Sequence, residues 1–526
     1  MKFKSGISDN LLNFLMIILI LTSVRMIFYF AITDFPAVIS RVPDDASYYL
    51  KIALNFNEGK GFSFDGISRT SGFQPLWLYV LIIFTFIFKT SPETTLRSVM
   101  ILQVILLFLS SLIFVKILRR FFVNEIVFAG GLIFTIFVYF QYLNGMETPL
   151  MILIFLSLFY HILKSETFIK RSVKKELVTG ILLGLLMLAR LDMVFFAIAI
   201  LVYGIVMTFS ENSDKRKDNI RSIFIIFSVS AVVTLPYLIF NLFYFGNIIP
   251  ISGYLKSTVP RTGLNENISQ LVQYREMIFG FLSVIYVFIY FFNIRNFRSN
   301  SFSTGLAVIS AGNILLMLYI VFFMKWVIFP WYFSVFSIFF SFFICLIFKF
   351  ILSLNFLNAG RIVFKILSAF IIIYWGSRIL DIYVFETSGV STWNVQSYMA
   401  SQWVKKETES TDLFAMKDAG HFSYFSGREV INLDGLVNSF EFQEIIKNGK
   451  LNEYFKRHNL KYIAQHAIWE RDDITEGDYE TIEMSFISHR YSVLSDKIIL
   501  QKKDEIYRSE PYFDGQYRTV FLIWKY

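Results

Sequence analysis

The sequence predicts an α-helical polytopic membrane protein that ends in a soluble α/β domain. Three observations lead there. Of the 526 residues, 55% are hydrophobic and 19% aromatic, and the mean hydropathy of +0.56 lies far from a soluble domain. Long apolar runs recur through residues 1–384, separated by short polar or basic stretches. From residue 385 onward the charge density rises, the apolar runs shorten, and alternating patterns replace them.

The apolar runs fall at about residues 11–32, 75–88, 98–115, 126–142, 148–163, 177–209, 222–241, 277–293, 302–324, 327–348 and 364–384. Met1-Lys2-Phe3-Lys4 precedes the first, which is too long for a cleaved signal peptide and reads as a retained anchor. A span needs about 20 apolar residues, and a run of about 10–14 is interfacial or re-entrant. Residues 75–88 fall in the short class, and the basic residues decide how to place them. If 75–88 does not cross, Lys116, Arg119 and Arg120 face the cytoplasm. So do Lys164, Lys170, Arg171, Lys174 and Lys175, then Lys215, Arg216, Lys217 and Arg221, then Arg295, Arg298, Lys349, Arg361 and Lys365. A crossing there would move all of them outside, against the positive-inside rule. Basic loops also flank 177–209, so that run crosses twice and turns near Arg190-Leu191-Asp192. The sum is about eleven spans, with the N-terminus cytoplasmic and the C-terminal segment outside.

Composition removes several other classes. The net charge of +9 is accounted for by the Lys and Arg of cytoplasmic loops, not by a nucleic-acid partner. The 62 Phe residues serve against lipid as Leu would. One cysteine, Cys345, allows neither an internal disulfide nor a cysteine metal site. His161, His421, His458, His466 and His489 show no metal-ligand spacing.

The tail, 385–526, is long enough to hold its own core. Val395–Lys405 and Phe440–Arg457 read as helices; Leu413–Met416, Glu429–Leu433 and Lys461–Ala464 read as strands. Thr387–Thr392 reads as a hinge.

The chemistry collects outside. Arg25, Arg378 and Asp381 are the main charges inside apolar runs, all toward the outer half, and a mid-bilayer charge costs about 2.5–3.5 kcal/mol on insertion scales. The long loop 33–74 carries Pro43-Asp44-Asp45-Ala46-Ser47-Tyr48-Tyr49 and is rich in Gly, Asp and Ser. On the same face lie Glu147, Arg69, Arg190, Lys256, Arg261 and Arg275. A carboxylate there can act as general base on a hydroxyl or hold a divalent cation. Cations beside it can neutralise a phosphate leaving group. Each candidate also has a plain structural reading. Asp44-Asp45 fits a helix N-cap with a first-turn acid. Arg190 with Asp192 fits a local ion pair, and Lys256 a snorkelling side chain. Trp326, Trp331 and Tyr332 fit an interfacial belt as well as a sugar platform. Asp418 and Asp434, each close to a Gly, fit strand-end turns.

Asp44-Asp45-Ala46-Ser47-Tyr48-Tyr49-Leu50-Lys51-Ile52-Ala53-Leu54-Asn55, Glu58-Gly59-Lys60-Gly61-Phe62 and Gly72-Phe73-Gln74-Pro75-Leu76-Trp77 together resemble the first exterior loop of GT-C glycosyltransferases. The resemblance is to the bacterial branch of protein mannosyltransferases, lipid A aminoarabinose transferases and mycobacterial arabinofuranosyltransferases. Asn144-Gly145-Met146-Glu147-Thr148, Leu188-Ala189-Arg190-Leu191-Asp192 and Tyr244-Phe245-Gly246-Asn247-Ile248-Ile249-Pro250 with Tyr254-Leu255-Lys256 extend it in order. Asp418-Ala419-Gly420 and Ile431-Asn432-Leu433-Asp434-Gly435-Leu436 carry it into the tail.

The resemblance implies a GT-C-like catalytic domain over 1–384, with a first exterior loop and juxtamembrane helices over 33–97, and an extracytoplasmic α/β domain over 385–526. It implies a bacterial cytoplasmic-membrane enzyme that moves a hexose or pentose, with inversion, from a polyprenyl-phosphate donor to a glycan or lipid-glycan hydroxyl. Asp44 matches the catalytic acid position and would be the base, with Asp45 and Glu147 as further catalytic acids. Arg190, Lys256, Arg69 and Tyr254 would bind the donor phosphate. Whether Asp44 and Glu147 hold a divalent cation stays open. A transporter or flippase of lipid-linked saccharides is the alternative; it predicts internal repeats and mid-depth polar groups that the sequence lacks. A non-catalytic scaffold would leave the acidic loop unexplained.

Overall fold

The computed structural model describes residues 5–165, 172–210, 213–271, 273–293, 300–354, 359–387, 393–470, 479–488, 493–513 and 517–526. The expected hinge falls almost wholly on 388–392 and lies outside the described residues, as does the Asp381 side chain. Among the described residues, eight helical stretches can cross a membrane by length and composition: Asn10–Ile32, Pro92–Leu118, Thr148–Ser165, Leu191–Phe209, Arg216–Phe245, Ser301–Phe322, Pro330–Ser353 and Gly360–Leu380. Three shorter apolar helices, Pro75–Ile87, Asn124–Tyr139 and Glu276–Phe292, join them. The chain is thus a polytopic helical membrane protein. The expected turn near Arg190 is present between helices Val173–Ala189 and Val194–Ser210.

Close helix approach rests on small residues where lipid offers no hydrophobic drive. Gly180 and Gly184, one helical turn apart, face helix Ser213–Phe245. A Cβ at Gly180 would stand 2.6 Å from the Ile226 carbonyl, and one at Gly184 2.6 Å from the Val233 Cβ.

Two helices of the first loop position the site. Pro43 starts helix Asp44–Asn57 with Asp44 and Asp45 in its first turn, where negative charge complements the helix dipole. The helix stops at Gly59, whose φ of +82° lets Lys60 N–H reach the Asn55 carbonyl at 2.9 Å. Pro75 opens helix Pro75–Ile87, whose 13 residues reach only about 20 Å at 1.5 Å per residue. That falls short of the about 30 Å hydrocarbon layer. The helix packs on Asp44–Asn57.

The tail folds as a six-stranded sheet of order β2–β1–β3–β8–β6, with β7 also on β8. Parallel β1 (Leu413–Met416) and β2 (Glu429–Asn432) are joined through helix Gly420–Ser426. β1 also pairs in parallel with β3 (Tyr462–Glu470), which pairs antiparallel with β8 (Tyr517–Lys525). Strands β6 (Glu505–Arg508) and β7 (Tyr512–Phe513) complete that edge, while β4 (Thr481–Ser488) and β5 (Val493–Gln501) form a separate hairpin. The expected helix Phe440–Arg457 is two, Phe440–Lys447 and Leu451–Arg457, because Gly449 at φ +64° breaks it. The tail is firmly docked. Phe35 meets the rings of Tyr398 and Phe425 at 4.9 and 5.3 Å, and one buried apolar cluster runs from the membrane helices into the tail.

Candidate active site

Where the loop helices, the turn at Arg190, the segment Ile249–Lys256 and the tail meet, they enclose a cavity of about 400 Å³. Its polar lining includes Asp45, Tyr49, Gln74, Glu147, Arg190, Asp192, Tyr254, Lys256 and Tyr332. Leu436 and Val437 of the tail complete one wall. Gly72 permits that closure, since a Cβ there would collide with the Leu436 carbonyl.

The two adjacent acids part company. The Asp45 side chain lines the cavity and makes no hydrogen bond or close ion pair with any described residue. Burial raises its pKa from 3.8 to about 6; Lys256 pulls it down, and Asp434 and Glu147 push it up. Asp44 is not part of the lining. Its Oδ2 accepts the Gly420 N–H at 2.7 Å and its Oδ1 the His421 N–H at 2.6 Å. It therefore does cap a helix, but one in the tail instead of its own. Burial raises Asp44 as well, against those two amides.

Glu147 is held by its neighbours. Its Oε2 accepts from Tyr49 Oη at 2.8 Å, and its Oε1 lies 3.8 Å from Arg190 Nε. Gln74 braces the arrangement, donating its backbone N–H to Tyr49 Oη at 3.3 Å and accepting the Leu191 N–H on Oε1 at 3.0 Å. Burial raises the Glu147 carboxyl, and Arg190 opposes the rise. Arg190 is almost wholly committed. Its Nε and Nη2 donate to the Asp192 oxygens at 3.1 and 2.5 Å, and its Nη1 donates to the Trp331 carbonyl at 2.6 Å. The ion-pair reading of that turn is the observed one.

Lys256 remains as the cavity's other cation. It ends the short helix Ile251–Lys256, with its Nζ 5.9 Å from the Trp326 ring centre. Burial would lower its pKa, but Tyr332, Asp45 and Glu147 more than offset this and hold it charged. Tyr254 lies on the same helix, edge-on to Phe440 of the tail. Trp331 and Tyr332 line the cavity and are more than an interfacial belt.

Other expected site residues stand apart from the cavity. Arg69 is exposed outside the cavity, its guanidinium 4.5 Å from the Tyr244 ring centre, so it does not reach a phosphate there. Arg275 also lies elsewhere, bonded to Glu276 and Gln141. Asp44 and Glu147 do not form a cation site, because both Asp44 oxygens are taken by backbone amides away from the cavity. Among the described residues no three His, Cys, Asp or Glu side chains are grouped to hold a metal.

Residues 73–240 match the family model of dolichyl-phosphate-mannose-protein mannosyltransferase. Residues 73–240 carry a GT-C-family domain. The match spans Gln74, Glu147, Arg190 and Asp192 of the cavity. Residues 389–509 match a domain of unknown function (DUF8728). The curated proteins include no significant sequence match. Among solved structures, this chain is similar to ArnT from Cupriavidus metallidurans bound to undecaprenyl phosphate. The TM-score is 0.50 at 11% identity, with 96% of this chain and 97% of that one covered. At that identity the likeness speaks for the fold, and it extends through the tail.

The sequence reading missed Tyr49, Gln74, Leu436 and Val437 as cavity residues, although it quoted all four except Val437. For Tyr49 a signal existed. Asp45 and Tyr49 are four residues apart on one helix and so share a face. The tail residues gave none, since only folding brings them to Gly72.

Proposed function

We propose that this cavity transfers a sugar from a polyprenyl-phosphate donor to an acceptor hydroxyl on the extracytoplasmic side, with Asp45 as the general base. The observation that carries the reading is that the Asp45 side chain, without a hydrogen bond to any described residue and raised to about 6, lines one cavity with the charged Lys256. A carboxyl that titrates near 6 is mostly ionised at neutral pH and still basic enough to accept a proton. Asp44, which the family resemblance favours, has both oxygens occupied by amides. The assignment therefore moves one residue along the helix.

In one displacement, Asp45 takes the acceptor's proton as its oxygen bonds to the anomeric carbon. The bond from that carbon to the phosphate oxygen breaks, and its electron pair leaves on the polyprenyl phosphate. Lys256 and the Tyr254 hydroxyl stabilise the charge released there. Attack opposite the leaving group inverts the anomeric centre. Glu147 and Arg190 hold the cavity wall through Tyr49, Asp192 and the Trp331 carbonyl. The GT-C domain and the undecaprenyl phosphate bound by ArnT support a lipid-linked donor.

The test uses purified protein with a panel of undecaprenyl-phosphate hexoses and pentoses and mixed cell-envelope glycolipid acceptors. Release of undecaprenyl phosphate together with a glycosylated product is expected. Movement of these lipids across a vesicle bilayer with no product from any of them would overturn the reading in favour of a transporter.

A further inference from the structure

One face of helix Asp44–Asn57 is given over to the tail. Asp44, Ser47, Tyr48 and Lys51 follow the i, i+3, i+4, i+7 spacing of a single helical stripe, and each bonds to the C-terminal segment. Asp44 takes the Gly420 and His421 amides. Ser47 Oγ lies 2.7 Å from His421 Nδ1, whose other ring nitrogen is 2.9 Å from the Val42 carbonyl. Tyr48 Oη donates to Asp434 at 3.3 Å, and Lys51 Nζ donates to the Arg428 carbonyl at 3.2 Å. Gly420 has no room for a Cβ, which would collide with the Asp44 carbonyl. The adjoining face carries Asp45 and Tyr49 into the cavity, which Tyr48 also lines.

We infer that the tail is a positioning element of the active site: by gripping Asp44 and Ser47 through Gly420 and His421, it fixes the rotation of the helix that aims Asp45. This rests on the proposed role of Asp45. Asp44 and Asp45 share a backbone, so a small rotation of the helix swings Asp45 off the acceptor oxygen. A misplacement of about 1 Å can cost about 100-fold in rate. Asp44 is thus a positioning residue. Gly420 and His421 lie outside the cavity lining and act on Asp45 through the helix.

The experiment uses the full chain and the donor–acceptor pair that wild type turns over, comparing Asp44→Asn, Gly420→Ala, Ser47→Ala and Asp45→Asn. Asp44→Asn and Gly420→Ala are expected to lower kcat about 10- to 100-fold with donor KM within about 3-fold, and to keep the rise of rate with pH that ionisation of the base produces. Asp45→Asn should abolish that rise. Ser47→Ala, which loses one bond only, should fall in between and covers the case in which Gly420→Ala does not fold. The inference is overturned if Asp44→Asn loses the pH-dependent rise while Gly420→Ala and Ser47→Ala turn over as wild type. That pattern makes Asp44 the base. It is also overturned if Asp44→Asn, Gly420→Ala and Ser47→Ala all match wild type. Should wild type show no turnover with any lipid donor, the functional reading fails first, and undecaprenyl phosphate binding still reports whether the cavity is intact.

Discussion

Asp44 and Asp45, joined by one peptide bond, face two different parts of the molecule: Asp44 binds the Gly420 and His421 amides of the tail, and Asp45 opens into the cavity opposite Lys256. A helix turns 100° per residue, and that turn is what separates these two carboxyl groups. This divergence separates the base from the group that positions it.

Transfer should rise as pH increases through about 6. Asp45 must be ionised to take the acceptor proton, and its carboxyl titrates there because burial, Asp434 and Glu147 outweigh Lys256. Steady-state rates across that region check this. A rate already flat well below it would place the working base elsewhere.

The same shift predicts a stability effect. A carboxyl raised in the folded state favours folding while protonated, and that contribution is lost as pH climbs from 3.8 through about 6. Asp45→Asn should therefore stabilise the protein above that window, by about 1–3 kcal/mol at 1.36 kcal/mol per unit, and have little effect below it. Thermal unfolding in detergent on both sides of the window measures the difference.

Lys256→Met should weaken binding of undecaprenyl phosphate about 10- to 100-fold, the range for losing a charged hydrogen bond. Arg69→Met should leave it unchanged, because Arg69 sits over Tyr244 outside the cavity. Titration with the phosphate lipid compares the two.

Arg190→Met should destabilise the fold by about 3–5 kcal/mol, since it strands the buried carboxylate of Glu147 and the half-buried one of Asp192. Arg190→Lys should recover only part of this, because an ammonium cannot reproduce the fork to both Asp192 oxygens and the Trp331 carbonyl. Chemical denaturation separates the three proteins.

Much of the architecture was legible in advance, for identifiable reasons. Apolar length and Lys/Arg placement mark the helices and the turn at Arg190-Leu191-Asp192, because both signals are local. The β1 and β2 strands were legible for the same reason. The strands from Glu505 onward were not, since β6 and β7 are defined by pairing with the distant β8. At the site, residue type picked out Glu147, Arg190 and Lys256, which do meet around one cavity. Motif position favoured Asp44 over Asp45, and this could not be read otherwise without knowing that Gly420 and His421 fold back onto Asp44 from 376 and 377 residues away. Arg69 was grouped with the other cations by topology alone, and topology gives the side of the membrane without giving the direction of the side chain.

The central claim is that Asp45 is the base of a lipid-dependent sugar transfer. The most direct test is the transfer rate of purified Asp45→Asn with the wild-type donor and acceptor, measured beside its affinity for undecaprenyl phosphate. The account predicts a rate lower by about 100- to 10,000-fold, the usual worth of a general base, with phosphate-lipid affinity retained. Transfer by Asp45→Asn at the wild-type rate would contradict it.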